Sequence, residues 1–290
     1  MHGHLIRQCL HEGRRVYGTH VCSLTNPLTA RMQASLEYDF VFICNEHMPI
    51  DRTETAMMCQ YYTAMGISPI VRIPRPVAAQ ATMAIDGGAE GIVVPYVETI
   101  DQVKELIGAV RYRPIKGKKL EQYLDGSVSP SPVLRDYLDR FNKETYLIIG
   151  IESVAAYEDL DRLISVPGVD GVFIGPHDLT LSMDIPEQYD HPDFVSTVDD
   201  IITRCRNAEI GVGIHLGQIA TSDDCFKQLL EKGINWVLYG ADIAMLVSEM
   251  RRRLRDFRDH MGDHYVRSAE DVSPPASCQD QTIDSNDVSF

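Results

Sequence analysis

The sequence predicts a (β/α)8 barrel, and three observations carry that expectation. Eight short apolar, β-branched runs recur along the chain, and stretches of helical period separate them. Together the units occupy about 250 residues, the usual size of one such barrel.

The first run is 16–21 (Val-Tyr-Gly-Thr-His-Val) and the second 40–44 (Phe-Val-Phe-Ile-Cys). The third and fourth fall at 70–73 and 91–96, the fifth at 146–151 and the sixth at 171–174. The seventh and eighth are 211–215 and 236–239. Several are apolar nearly throughout, as strands of a parallel sheet buried on both faces must be. Helical period marks 53–65, 100–110, 155–164, 222–232 and 241–257. A doubly wound open sheet is the alternative, but neither Gly-x-Gly-x-x-Gly nor a P-loop follows the first run. Residues 1–262 therefore read as a single barrel domain. Inside it, 112–143 is a long connection carrying Asp125-Gly126-Ser127-Val128-Ser129-Pro130-Ser131-Pro132, expected to serve as a lid or a subunit contact. The polar stretch 263–290 reads as a disordered tail.

A formal net charge of −15 argues against nucleic acid or an anionic membrane as partner, since both demand basic surface. The two basic runs, Lys116-Gly117-Lys118-Lys119 and Arg251-Arg252-Arg253, read as solvated charge. Seven scattered cysteines, an odd number without a Cys-x-x-Cys pair, fit reduced thiols in the cytosol better than disulfides or a zinc site. Met1-His2-Gly3-His4 lacks the apolar run of a signal peptide, and no apolar stretch is long enough to span a bilayer. A cytoplasmic enzyme is the expectation.

In such barrels the chemistry gathers at the carboxyl ends of the strands. Those ends carry Glu46 and His47, Arg72, Glu98, Glu152, His177 and Asp178, His215, and Asp242. Glu152 and Asp178 directly follow adjacent apolar strands, so their carboxylates can converge. Two hard oxygen donors with room for water suit Mg²⁺ or Mn²⁺ better than a closed zinc site, with Co²⁺ a further candidate. Both residues also read as helix N-caps. Arg72 at a barrel end suits a carboxylate or a developing oxyanion, or else a salt bridge to a neighbouring acid. His47 can move a proton near neutral pH, with Asp86 as an orienting partner; taken alone it reads as structural.

These stretches are similar to the HpcH/HpaI aldolase family of metal-dependent 2-oxo-acid aldolases, related to citrate lyase β-like proteins. The resemblance runs from roughly Val16 to Met250. It rests on Glu46-His47, Val71-Arg72-Ile73-Pro74, Asp86-Gly87-Gly88-Ala89-Glu90-Gly91-Ile92, Val94-Pro95-Tyr96-Val97-Glu98-Thr99, Ile151-Glu152-Ser153, the run Gly171 to Leu179, and Asp190-His191-Pro192-Asp193-Phe194. It implies a barrel of the phosphoenolpyruvate/pyruvate-binding type, Glu152 and Asp178 as metal ligands, and Arg72 on the oxyanion of a 2-oxo acid. It further implies a His47–Asp86 acid/base pair and a turn, Gly175, Pro176, His177 and Asp178, whose backbone N–H groups hold the substrate carboxylate. The implied reaction cleaves or forms a 4-hydroxy-2-oxo acid through a pyruvate enolate, with an aldehyde as the second partner. A homo-oligomer, hexamer or trimer, with the last helix exchanged between subunits, is implied too.

Three positions depart from the family pattern. Cys44 stands where Asp is frequent, Gly150 where Gln is frequent, and Pro114 to Lys119 replaces a glycine–arginine-rich loop. Those departures fall on what the resemblance makes the second-substrate side. Two alternatives stand beside the aldolase: an oxaloacetate decarboxylase resembling macrophomate synthase, and a barrel that has lost catalysis and serves as a binding protein.

Overall fold

Eight strands pair in parallel and in chain order, and the eighth returns to the first, closing the sheet into a barrel. The computed structural model describes residues 1–215 and 223–263. The strands are β1 (Val16–Val21), β2 (Phe40–Cys44), β3 (Ser68–Arg72), β4 (Gly91–Val94), β5 (Tyr146–Ile151), β6 (Gly171–Ile174), β7 (Gly211–His215) and β8 (Trp236–Ala241). Five match the expected runs at both ends. Strand β3 begins earlier because Ser68 and Pro69 pair with Phe40 and Val41. Strand β4 stops at Val94, since Pro95 has no N–H to extend the ladder and Tyr96 turns to a φ of 51°.

The helices are α1 (Gly3–Glu12), α2 (Pro27–Gln33), α3 (Arg52–Ala64), α4 (Ala78–Asp86), α5 (Ile100–Arg111), α6 (Gly117–Leu124), α7 (Pro132–Phe141), α8 (Val154–Glu158), α9 (Leu160–Ile164), α10 (Pro176–Ser182), α11 (Pro192–Asn207), α12 (Asp223–Lys232) and α13 (Asp242–Met261). Their apolar faces meet the outside of the sheet in one continuous core. A second core fills the lumen, where Phe40 stacks on Trp236 with centroids 5.1 Å apart and Phe42 and Phe173 pack around them. The same cluster takes in Ile6, Cys9 and Leu10, so α1 plugs the amino-terminal end of the barrel.

Alternation along each strand fixes what lies above that plug. Because Ile70 and Ile148 face inward, so do Arg72 and Gly150 two residues on. With His20 of β1 and His215 of β7 they make the uppermost internal layer, one position from each alternate strand. The rings of His20 and His215 lie 6.5 Å apart, edge to face.

Two expectations need correction. The connection 112–143 is not a structureless loop but holds α6 and α7. It joins the end of α5 to the start of β5, which puts it at the amino-terminal end of the barrel, opposite the strand ends where chemistry gathers. It cannot act as a lid within its own chain, and residues 114–119, which lead into and begin α6, do not alter the second-substrate side there. The basic runs behave as expected: Lys116 to Lys119 are exposed, and on α13 Arg252 and Arg253 pair with Glu249. The tail beyond Asp263 lies outside the described residues.

The buried histidines make stability acid-sensitive. Neither ring nitrogen of His20 has a hydrogen-bond partner among the described residues. Burial first, then His215, Arg72 and His47, pulls its pKa from an ordinary 6.5 to about 3. Burial, with Arg72 and His47, pulls His215 to about 4. The unfolded chain therefore takes up protons that the fold refuses. Stability held above pH 6.5 falls as the pH drops towards 4, at up to about 1.4 kcal/mol per pH unit for each histidine. In urea titrations, His20→Phe should lose less stability between pH 7 and pH 5 than the parent protein. Equal losses would contradict this account.

Candidate active site

Glu152 follows β5 and is 2% exposed. The capping of α8 falls to its neighbour, since Ser153 Oγ accepts the Ala156 N–H. Asp178 lies in the first turn of α10, whose N-cap position is Gly175 and which has no side-chain cap. The capping reading of both acids is thus not what the chain adopts. Instead both turn to one residue: the Tyr96 N–H donates to Glu152 Oε2 at 3.0 Å, and the Tyr96 O–H donates to Asp178 Oδ1 at 2.7 Å.

Opposite them stands Arg72, 8% exposed. Its Nε and Nη2 donate to Cys44 Sγ at 3.3 and 3.0 Å, and its Nε lies 3.0 Å from Glu46 Oε2. The guanidinium rests 5.4 Å above the Phe42 ring. Cys44, one of the departures from the family pattern, therefore holds Arg72 through sulfur, and it also accepts the His47 N–H at 3.3 Å. The His47 ring is half exposed, with Nε2 3.7 Å from Glu46 Oε2. The salt-bridge reading of Arg72 is realised, and it lies at the mouth.

The charges are unbalanced. Burial, then Glu46 and, less strongly, Asp178, pushes Glu152 up to about 8 against the pull of Arg72 and the Tyr96 N–H. Burial and Asp178 also raise Glu46, with Arg72 opposing. Burial and Arg72 hold His47 below its ordinary value, so it is neutral and able to accept a proton near pH 7. Three acids face one another with a single buried guanidinium among them. Among the described residues neither Glu152 Oε1 nor Asp178 Oδ2 accepts a hydrogen bond, and no three His, Cys, Asp or Glu side chains form a closed metal cluster. Such a set fits a hard divalent cation that keeps positions for water and a chelating ligand, not a structural zinc.

The other expected residues disperse. Asp86 ends α4 at the amino-terminal side of the barrel and pairs with Arg113 at 2.7 Å, exposed. It does not orient His47 within the chain, because a helix running back from β3 delivers its last residue to the start of β4. Glu46 is the acid beside His47. His177 pairs with Glu187 at 3.6 Å. In the turn before α10, the Gly175 N–H is taken by Ile151 O and Pro176 has none, leaving His177 and Asp178 as the available donors. Glu98 accepts the Ser153 O–H at 2.5 Å. Asp242 is structural, accepting the N–H groups of Cys22 and Leu24 at 3.1 and 3.0 Å and so tying the end of β1 to α13. Tyr96 was not anticipated, although its place two residues past a strand-ending valine marks it as a mouth residue.

Residues 21–248 match the model of the HpcH/HpaI aldolase/citrate lyase family. The chain belongs to that family. It is an enzyme of the carbon–carbon lyase class. A 2-keto-3-deoxy-L-rhamnonate aldolase of Klebsiella pneumoniae is 32% identical over 241 residues, covering 81% of this chain and 86% of that one. A hydroxypyruvate/pyruvate aldolase of Roseobacter denitrificans is 31% identical over 242 residues, covering 83% and 92%. Among solved structures, a family member from Burkholderia cenocepacia superposes with a TM-score of 0.74 at 26% identity, covering 88% of this chain and 99% of that one.

In this aldolase family member, Arg72→Ala should cost about 3 kcal/mol of transition-state stabilisation, read as kcat/KM, by analogy with removing an oxyanion donor. A purely structural arginine would instead lower the melting temperature and leave turnover per folded molecule unchanged.

Proposed function

We propose that the chain is a class II aldolase that cleaves or forms 4-hydroxy-2-oxo acids through a pyruvate enolate. One observation carries the reading. Glu152 and Asp178 each turn one oxygen to Tyr96 and keep one unused, beside the Arg72–Glu46 pair at the carboxyl ends of the strands. Glu152 and Asp178 would hold Mg²⁺ or Mn²⁺, with Co²⁺ a further candidate. Bound there, the ion supplies Lewis-acid stabilisation of the enolate of pyruvate or oxaloacetate.

The remaining work falls to the chain. Arg72, fixed by Cys44 and Glu46, presents guanidinium N–H groups to the oxyanion as charge develops. The substrate carboxylate takes the N–H groups of His177 and Asp178. His47, neutral at pH 7 and half exposed, accepts the proton of the 4-hydroxyl in cleavage and returns it in addition. Glu46 stands beside it in place of Asp86.

The same reading includes a homo-oligomer, a hexamer or a trimer. Helix α13 supports it by leaving Leu246, Met250, Leu254, Phe257 and Met261 exposed at helical spacing. A cytosolic setting is supported by the free, buried Cys9, Cys22, Cys44, Cys59 and Cys205. Among the described residues no helix is long and apolar enough to cross a membrane.

Exchange of the pyruvate methyl protons in D₂O, followed by NMR, tests the enolate without a second substrate. Exchange is expected with Mg²⁺ or Mn²⁺ and should vanish with EDTA, in Glu152→Gln and in Asp178→Asn. Undiminished exchange in either variant would remove the metal reading. No exchange with any metal, combined with consumption of oxaloacetate, would move the assignment to the decarboxylase. No reaction with either would move it to a non-catalytic barrel.

A further inference from the structure

We propose that Tyr96 is a positioning residue that sets divalent-cation affinity by assigning the oxygens of Glu152 and Asp178. The inference rests on the metal reading above and goes beyond it by naming the residue that builds the site.

Tyr96 joins three strand ends. It follows β4, its backbone N–H holds the acid after β5, and its phenol holds the acid after β6. To reach both it adopts a φ of 51°, a left-handed conformation costly for an aromatic residue. Such strain persists only where the surroundings over-determine it, and here two hydrogen bonds to two carboxylates do so. The phenol O–H donates to Asp178 Oδ1 at 2.7 Å. At 45% exposure the side chain is also open to the mouth.

Two glycines make this arrangement possible. A Cβ on Gly150 would lie 2.8 Å from Val94 O and 3.1 Å from both Pro95 Cα and Glu152 Oε1. Its absence lets the turn Val94-Pro95-Tyr96 settle onto β5. A Cβ on Gly175 would lie 2.8 Å from Glu152 Cγ and 2.9 Å from Oε1, so the other side of the same carboxylate is equally close-fitted. Glu152 is thereby seated between two bare backbones and pinned through Oε2 by Tyr96. With Oε2 and Asp178 Oδ1 both occupied, one oxygen of each acid is left for the cation. Each acid would then offer a bound cation one oxygen, leaving room for substrate and water.

Mn²⁺ titration of the full chain, followed by the EPR signal of the free ion, tests this without any turnover. Tyr96→Phe keeps the backbone N–H and removes only the phenol. It should weaken Mn²⁺ binding about 10- to 100-fold, the usual cost of losing a partner of a metal ligand, and leave the metal-free melting temperature unchanged. Gly150→Ala, which displaces the turn while keeping the phenol, should weaken binding in the same direction. The double variant should lose less than the product of the two effects, because both act through one contact. Unchanged Mn²⁺ affinity in Tyr96→Phe overturns the inference and leaves the metal reading standing. If that variant does not fold, unchanged affinity in Gly150→Ala overturns it instead. No Mn²⁺ binding by the parent protein overturns the metal reading and this inference with it.

Discussion

Three carboxylates gathered at one end of the sheet, Glu152 buried and the other two partly so, are the constraint on which the mouth of this barrel depends. Glu46, Glu152 and Asp178 repel each other, and the guanidinium that answers them, Arg72, is drawn towards Cys44 and Glu46. Glu152 is left to hold its proton to about pH 8. A buried acid in that state is poised to exchange the proton for a cation, because binding a metal releases the proton and removes the repulsion together. The electrostatic arrangement and the family's aldolase chemistry thus point to one requirement, positive charge between Glu152 and Asp178.

The scaffold meets that requirement by separating its two ends. Below, aromatic side chains and α1 fill the lumen and close the amino-terminal end. Above, the inward positions of the alternate strands change character at a single layer, with His20, Arg72 and His215 around Gly150. The two histidines stay neutral through burial and the nearby Arg72 charge. Tyr96 then ties β4, β5 and β6 together over that layer.

The barrel was legible because most of its strands are buried on both faces and read as short, largely apolar runs, five of which match at both ends. Helix α1 was missed although Ile6, Cys9 and Leu10 already carry helical spacing, because it precedes the repeating units. The misplacement of 112–143 arose from length alone, since a long connection says nothing about which end of the barrel it serves. At the site, Glu152, Asp178, Arg72 and His47 stood out as candidates because each lies at a strand's carboxyl end or within four residues of it. Asp86 misled, since a helix intervenes between it and the nearest strand end. The role of Tyr96 was not legible, as it depends on a left-handed backbone and on two glycines remote in sequence, Gly150 in β5 and Gly175 just past β6.

Anomalous diffraction from crystals soaked in Mn²⁺ tests the central claim most directly. The account predicts one strong peak between Glu152 Oε1 and Asp178 Oδ2, at about 2.0–2.3 Å from each, with the Tyr96 hydrogen bonds retained. A peak elsewhere, or none at this position in crystals grown above pH 8, would contradict it.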